Sequence, residues 1–473
     1  MRPRLLKARP FEFVAEKRND IAIMTKPLCL CGLSGLLAAL LFLPAAAGAP
    51  RQEAGGSEAV AIFDGESLEG WHGIGTVDPR ALVSMDPGER QSRIDAWTQE
   101  ARRHWKAEEG VLVSDGTGPF LATDKHYGDF ELELEYAIAP GADSGVYLRG
   151  SPQVQIWDHA DESKFAAGAD KGSGGLWNNT PGEPSRFPLV VADNPPGEWN
   201  KLRVIMVGSY VTVWLNDQLV VDHAIFENLY DSRRPEGERR PVLREGSIIL
   251  QTHGGETRWR NITLRDIAPA EANALLANGG PERGKEMEAG WQSLFNGEDF
   301  TGWRGPTDEN GIEDGAILSR HGAIYTEETF DDFKVRFEFQ LPERGNNGLA
   351  IRYPGQGDPA YEGMCELQVL DTPSYGGQIH PQQAHGSAYG MVAAHQGYLR
   401  PVGQWNYQEV TVKGSTIRVE LNGFVILDTD LANVADPMHP IENFTGRTRT
   451  QGHFGFAGHG DPVKYRNIHI RRL

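Results

Sequence analysis

Glu366, Gln368 and Asp371 share one short stretch, Glu366-Leu367-Gln368-Val369-Leu370-Asp371, whose alternating residue types predict a β-strand. A period of two puts Glu366 and Gln368 on one face and Cys365, Leu367 and Val369 on the other. The polar pair should then line a groove while the apolar set packs between two sheets. A carboxylate in such a groove can take or deliver a proton, and a neighbouring cation or amide can hold the charge that develops. Arg352 follows Asn347-Gly348 on a stretch where Leu349 and Ile351 point inward, which aims Ala350 and Arg352 at the groove. His459, before a glycine and near the end of a strand, can reach the groove rim as acid or base. Glu366, Arg352, Asp371 and His459 form the candidate catalytic set.

An earlier stretch repeats this arrangement with fewer acids. Gln153, Gln155 and Asp158 occupy the frame of Glu366, Gln368 and Asp371, Arg149 beside Tyr147 has the phase of Arg352, and His253 precedes a glycine as His459 does. Hydrolysis of a glycoside ordinarily takes two carboxylates across the scissile bond, which suits neither frame. Trp157 shares the face of Gln153 and Gln155, while Trp177 after Gly174-Gly175 aligns with Tyr389 after Gly386. Such rings can stack on the C–H faces of a sugar. Arg149, Gln155, Trp157, Asp158, Trp177, His253, Gln368 and Tyr389 therefore form the candidate substrate-binding set. The alternatives are a rim ion pair for each arginine and a turn-stabilising role for His253 and His459. Trp71, Trp199, Trp259, Trp303 and Trp405 read as core or turn-packing residues. No His-x-His, His-Glu-x-x-His or EF-hand spacing occurs, so neither a metal site nor a cofactor is expected, and the acidic loop from Asp158 to Asp170 reads as solvated charge.

The elements that must hold these residues are written twice. Phe63-Asp64-Gly65-Glu66-Ser67-Leu68-Glu69-Gly70-Trp71 returns as Phe295-Asn296-Gly297-Glu298-Asp299-Phe300-Thr301-Gly302-Trp303, and the echo continues in order to Trp259-Arg260-Asn261-Ile262 and Tyr465-Arg466-Asn467-Ile468. A period of about two hundred residues lets each copy close its own core. Both copies consist of short alternating segments bounded by Gly, Pro, Asn and Asp, which predicts an all-β sandwich. Phe130, Leu132, Leu134 and Tyr136 alternate with Glu131, Glu133 and Glu135, and Phe333, Val335, Phe337 and Phe339 with Lys334, Arg336 and Glu338. One face packs inward and the other meets water. Further strands are expected over Lys201 to Trp214, Gln218 to Asp222, Ser247 to Gln251, Tyr407 to Leu421, Gly423 to Asp428 and His453 to Ala457, with hairpin turns at Leu215-Asn216-Asp217 and Leu421-Asn422-Gly423. Arg80 to His104 has helical spacing and interrupts the first copy alone, and Pro269 to Ala277 opens a short helical linker. The expected division is 1–47, 59–267, a linker over 268–289, and 290–473.

Residues 1–47 read as a targeting segment. An apolar run from Leu28 to Leu43 follows Lys26 and precedes Ala45-Ala46-Ala47, a cleavage site of A-x-A type, which points to secretion or a periplasmic location, with Met24 a second candidate start. Only Cys365 lies beyond that segment, so no intramolecular disulfide is available and the cores must be apolar. The net charge of −19 argues against a nucleic-acid backbone as partner, and no stable membrane insertion is expected.

The motifs together resemble a known family. Asp-Phe-Glu-Leu at 129–132, Ser-Gly-Val-Tyr-Leu-Arg at 144–149, Val-Gln-Ile-x-Asp at 154–158, Pro-Gly-Glu-Trp-Asn at 196–200 and the closing Arg-Asn-Ile are similar to the domain of unknown function 1080, also called the 3-keto-disaccharide hydrolase domain. The resemblance covers 59–267 and 290–473 and implies two concanavalin-A-like jelly-roll β-sandwiches in tandem, related in shape to bacterial β-glucanases, whose strand corresponding to that of Glu366 supplies two carboxylates where this chain has an amide at Gln368. It also implies activity on 3-keto-glycosides, with an oligosaccharide or glycoside as partner. A C3 ketone acidifies the C2 hydrogen, so one base with one charge-holding donor suffices to expel the C1 substituent. Because Glu366 keeps an acid where the first copy has Gln153, the second copy is the expected catalyst and the first the expected sugar binder. The alternative reading is a non-catalytic glycan-binding or surface-adhesion module, since a groove lined by aromatics also serves binding alone.

Overall fold

Strand alternation in both copies becomes two antiparallel layers per copy. The computed structural model describes residues 57–473 except 152, 236–237 and 285–288, and the targeting segment 1–47 lies outside the described residues. In the first lobe an eight-stranded sheet runs in the order Gln218–Ile225, Tyr210–Leu215, Asn200–Val207, Phe130–Ile138, Thr257–Asp266, Val111–Ser114 and Trp105–Glu108, with Val60–Ala61 beside Thr257–Asp266. The facing five-stranded sheet runs Trp71–Ile74, Phe120–Thr123, Ile249–Leu250, Asp143–Tyr147 and Gln153–Trp157.

The second lobe repeats that order but welds its layers together. Two long strands, Ala316–Phe330 and Gly452–Arg472, pass from one layer to the other through register shifts after Ser319 and Tyr325, so the lobe reads as a single eleven-stranded sheet. Cys365–Leu370 pairs with Asn346–Tyr353, which pairs with the first half of Gly452–Arg472, as Gln153–Trp157 pairs with Asp143–Tyr147 and that strand with Ile249–Leu250. Phe333, Val335, Phe337 and Phe339 are fully buried, as are Phe130 and Leu132. Each such side chain contributes about 1.5–3 kcal/mol of apolar burial, enough to fix which face of the strand turns inward.

Three expectations change. Lys201 to Trp214 is two strands, Asn200–Val207 and Tyr210–Leu215, because the Gly208-Ser209 turn intervenes, and Tyr407 to Leu421 divides likewise into Trp405–Lys413 and Thr416–Leu421 around Gly414. The outer face of Phe333–Gln340 does not meet water throughout: Arg336 and Glu338 are buried. The linker helix Pro269–Ala277 covers them, with Asn273 bonded to Glu338 and the Arg336 guanidinium donating to the Ala277 carbonyl. The insertion forms two helices, Pro79–Val83 and Pro87–His104, each opened by an aspartate that caps the first turn ahead of a proline. Both hairpin turns hold, with Asn216, Asp217, Asn422 and Gly423 all at positive φ, as a two-residue turn of that hand requires.

The lobes touch directly through Tyr210 Oη donating to Glu420 at 2.8 Å and Ser209 N donating to the Gly423 carbonyl at 2.9 Å. Gly208 is required there, since a Cβ would lie 2.3 Å from the Asn422 carbonyl oxygen.

Candidate active sites in the two lobes

In each lobe polar residues meet on the faces that alternation assigned to them. On Cys365–Leu370, Glu366 is 3% exposed and one of its carboxylate oxygens lies 2.9 Å from His459 Nε2. His459, on the long strand Gly452–Arg472 beyond the intervening Asn346–Tyr353, keeps 41% of its side chain exposed. The carboxylate is thus the hidden member and the imidazole the accessible one. Glu366 as hydrogen-bond partner raises the His459 pKa above its ordinary value, against the burial that lowers it. Gly348 on the adjacent strand makes room: a Cβ there would stand 2.1 Å from Glu366 Oε1. Gln368 shares the face, and its Oε1 is buried with no hydrogen-bond partner, as is Asn346 Oδ1. The Tyr389 amide donates to the Glu366 carbonyl at 2.9 Å. Burial, helped by the charges and phenol around it, raises the Tyr361 phenol above its ordinary value.

The first lobe builds a second pair from different positions. Asp143 Oδ2 lies 3.0 Å from His253 Nδ1, and Gln155 donates to Asp143 Oδ1 at 2.8 Å. Gln153 donates in turn to Gln155 at 2.8 Å. Asp143 as hydrogen-bond partner raises the pKa of His253, whose side chain is 62% exposed. These residues line a cavity of about 330 Å³ together with Tyr147, Trp157, Lys164, Trp177, Asn178 and Gln251. Trp177 stands edge-on to Trp157, with ring centroids 6.4 Å apart, and its indole N–H donates to the Ala167 carbonyl. Trp157 is almost wholly buried and donates to the Gly172 carbonyl, so of the two rings Trp177 is the more accessible to a ligand. Its alignment with Tyr389 holds: Gly174 N donates to the Gln155 carbonyl as Gly386 N donates to that of Gln368.

Arg149 and Arg352 are corrected. Neither reaches the groove. Both are fully buried, where they donate to backbone carbonyls of Gly128, Gly208 and Leu243 in one lobe and of Asp331, Gly414 and Arg449 in the other. Each also pairs with an aspartate, Asp129 at 3.0 Å and Asp332 at 2.8 Å. The reason is a left-handed residue inside the strand path, with φ 54° at Arg149 and 47° at Arg352, which breaks the period of two. The alternation rule assumes regular backbone, and no residue type signals this departure.

Asp158 and Asp371 are corrected as well, since both carboxylates are spent on a turn. Asp158 accepts from Gly141 N and Ala160 N, and Asp371 accepts from Arg344 N at 2.8 Å. His385 in the loop after Asp371 is a core residue, stacked on Phe339 and held neutral by burial, which lowers its pKa to about 3. Asp143, Gln251 and Asn346 escaped the sequence reading. Asp143 stands one residue before the Ser-Gly motif, and its signal was the alignment of that position with Asn346.

A larger cavity of about 1360 Å³ lies between the helical insertion and the second lobe, lined by Leu82, Ile94, Phe120, Arg244, Thr372 and Tyr398 among others, and Tyr147 lines both cavities. Among the described residues no three His, Cys, Asp or Glu side chains converge as metal ligands would, and no helix is long and apolar enough to cross a membrane.

Two tandem antiparallel β-sandwiches, each carrying a histidine–carboxylate pair on the same face of corresponding sheets, define a duplicated domain of one type. The chain belongs to the 3-keto-alpha-glucoside-1,2-lyase-like domain family, whose model matches residues 58–265 and again 290–471. A 3-keto-disaccharide hydrolase of Bacteroides thetaiotaomicron is 22% identical over 252 residues, spanning 44% of this chain and 77% of that protein. Among solved structures, a Parabacteroides distasonis protein described as a "putative glycosyl hydrolase" is 25% identical over 40% of this chain and 97% of its own, with a TM-score of 0.33. A carbohydrate binding module of Bacillus subtilis is 14% identical over 38% of this chain and 95% of its own, with a TM-score of 0.24.

Proposed function

We propose that this chain cleaves 3-keto-glycosides and that Glu366 and His459 form the proton-handling unit of the second lobe. The observation that carries this reading is the 2.9 Å bond between a buried carboxylate and an accessible imidazole. Glu366 orients the ring and stabilises its protonated form, leaving the other ring nitrogen for substrate. In a 3-keto sugar the neutral imidazole takes the C2 proton, and the C2–H electron pair forms the C2=C3 enolate. Re-formation of the ketone then pushes that pair into a C1=C2 bond, the C1–O bond breaks, and the departing oxygen takes a proton. Addition of water across C1=C2 returns a 3-keto sugar, so elimination followed by hydration amounts to hydrolysis. The unpartnered oxygens of Gln368 and Asn346 supply acceptors for sugar hydroxyls, and Tyr389 supplies a ring.

The same residues argue against ordinary endo-glucanase chemistry. A second groove carboxylate is needed there, and Asp371 is committed to its turn. Incubating the chain with a 3-keto disaccharide and with its unoxidised parent tests the proposal. Cleavage of the keto substrate alone is expected. Binding of either sugar without turnover makes the chain a glycan-binding module, and cleavage of the parent alone makes it an ordinary glycosidase. Residues 1–47 are further proposed to direct export, which predicts a mature protein beginning after Ala47 by mass spectrometry.

A further inference from the structure

We propose that the first lobe is a second catalytic centre for 3-keto-glycosides, in which Asp143 and His253 do the work of Glu366 and His459. The inference rests on the functional reading above and extends it to residues that the motif pattern passes over. The two lobes can be aligned position by position from shared hydrogen bonds. Asp158 and Asp371 accept from the amides of Gly141 and Arg344, and Gly174 and Gly386 donate to the carbonyls of Gln155 and Gln368. In that frame Gln153 corresponds to Glu366, and Asp143 corresponds to Asn346.

The acid has therefore changed strands without being lost. Each lobe keeps one carboxylate and one amide at these two positions, plus a glutamine on the outer strand and a histidine from the third segment, in the loop after Ile249–Leu250 in the first lobe and within Gly452–Arg472 in the second. The histidine lies beside whichever residue is the acid: His253 Nδ1 is 3.0 Å from Asp143 in the first lobe, and His459 Nε2 hydrogen-bonds Glu366 at 2.9 Å in the second. Aspartate on the nearer strand and glutamate on the farther one differ in length in the sense needed to reach the same imidazole. A casual surface ion pair would not show the rest of the arrangement. Asp143 is held from behind by the Gln153–Gln155 chain, with Asn178 donating to Gln153 at 3.1 Å. All four residues line the 330 Å³ cavity. Gln251, 6% exposed in the same cavity, has an Oε1 with no hydrogen-bond partner. That buried acceptor is what a sugar hydroxyl would satisfy.

The reaction is the one written above. His253 Nε2, free because Nδ1 faces Asp143, takes the C2 proton, the electron pair passes through the enolate to C1=C2, and the C1 oxygen leaves with a proton. No group is oxidised or reduced, and the C3 ketone is re-formed.

The test silences one lobe at a time in the full chain. Glu366→Gln with His459→Ala should leave turnover of a 3-keto disaccharide, and adding His253→Ala should reduce that residue of activity about 10²–10⁴-fold, the usual share of a general base. On the silenced background Asp143→Asn should abolish turnover, and Asp143→Asn with Gln153→Glu should restore much of it, since Gln153→Glu is isosteric and rebuilds the arrangement of the second lobe. Restoration is a readout that a merely structural carboxylate would not give. Thermal unfolding of each variant checks that the lobes remain folded. If the parent chain cleaves the substrate but Glu366→Gln with His459→Ala removes all turnover, or if His253→Ala changes nothing on that background, the first lobe is not catalytic. A parent chain that does not cleave at all overturns the functional reading itself.

Discussion

Substituting Glu366 by Gln separates what the carboxylate does from the space it fills. The side chain is 3% exposed and the amide is nearly isosteric, so the groove, the Gly348 approach and the Tyr389 backbone bond should survive. What disappears is the negative charge 2.9 Å from His459 Nε2. That charge holds the imidazole pKa above its ordinary value of about 6.5. A neutral imidazole is the base, so the activity contributed by the second lobe rises with pH through the raised pKa. In Glu366→Gln that limb should move to lower pH, toward about 6.5, while turnover falls by about 10²–10⁴-fold, or roughly 2.7–5.5 kcal/mol of transition-state stabilisation. The assay is a pH profile of kcat/KM on a 3-keto disaccharide in a chain already carrying His253→Ala, so that only one lobe reports. A variant with unchanged kcat/KM and an unmoved limb would refute the argument that Glu366 acts through His459.

Three further outcomes follow from the geometry. Arg352→Met should destabilise the second lobe by about 1.5–3 kcal/mol in denaturant unfolding, because it removes a fully buried guanidinium that donates to the carbonyls of Asp331, Gly414 and Arg449 and pairs with Asp332; the folded fraction should keep an unchanged KM. Gly348→Ala places a methyl 2.1 Å from Glu366 Oε1, so it should lower kcat in the second lobe with little change in the unfolding midpoint. Asp231 is burdened by burial but bonded to Arg240, which brings its carboxyl down to about 2. A depressed carboxylate stabilises the fold above its unfolded pKa, so about 1–2 kcal/mol should be lost as pH falls from about 4 to about 2, and Asp231→Asn should abolish that part of the acid sensitivity in urea titrations.

The duplication, the sandwich layers and the linker helix were all legible in the sequence, because each is written as a period or a cap. Phe333, Val335, Phe337 and Phe339 announce an inward face, and Pro269 followed by Asn278-Gly279 brackets a helix whose observed limits agree. The same alternation placed Glu366 and Gln368 on the groove face, and the matching positions of His253 and His459 marked both as rim residues. Alternation failed at Arg149 and Arg352, where one left-handed residue turns the side chain into the interior. It also could not show that Asp158 and Asp371 are occupied by backbone amides, since turn capping depends on how the chain returns in space. Asp143 was missed for a related reason: its partners, Gln155 on the adjacent strand and His253 in the loop after Ile249–Leu250, meet it only once the sheet is assembled.

The C2 proton is where the account is most exposed. Cleavage of a 3-keto disaccharide in deuterium oxide, followed by mass analysis of the 3-keto sugar released, reads directly whether that proton leaves. Elimination and hydration predict one solvent deuteron at C2 of the product and a slower reaction when C2 of the substrate carries deuterium in ordinary water. Release of the sugar with its original C2 hydrogen retained, and no isotope effect at that carbon, would contradict the account.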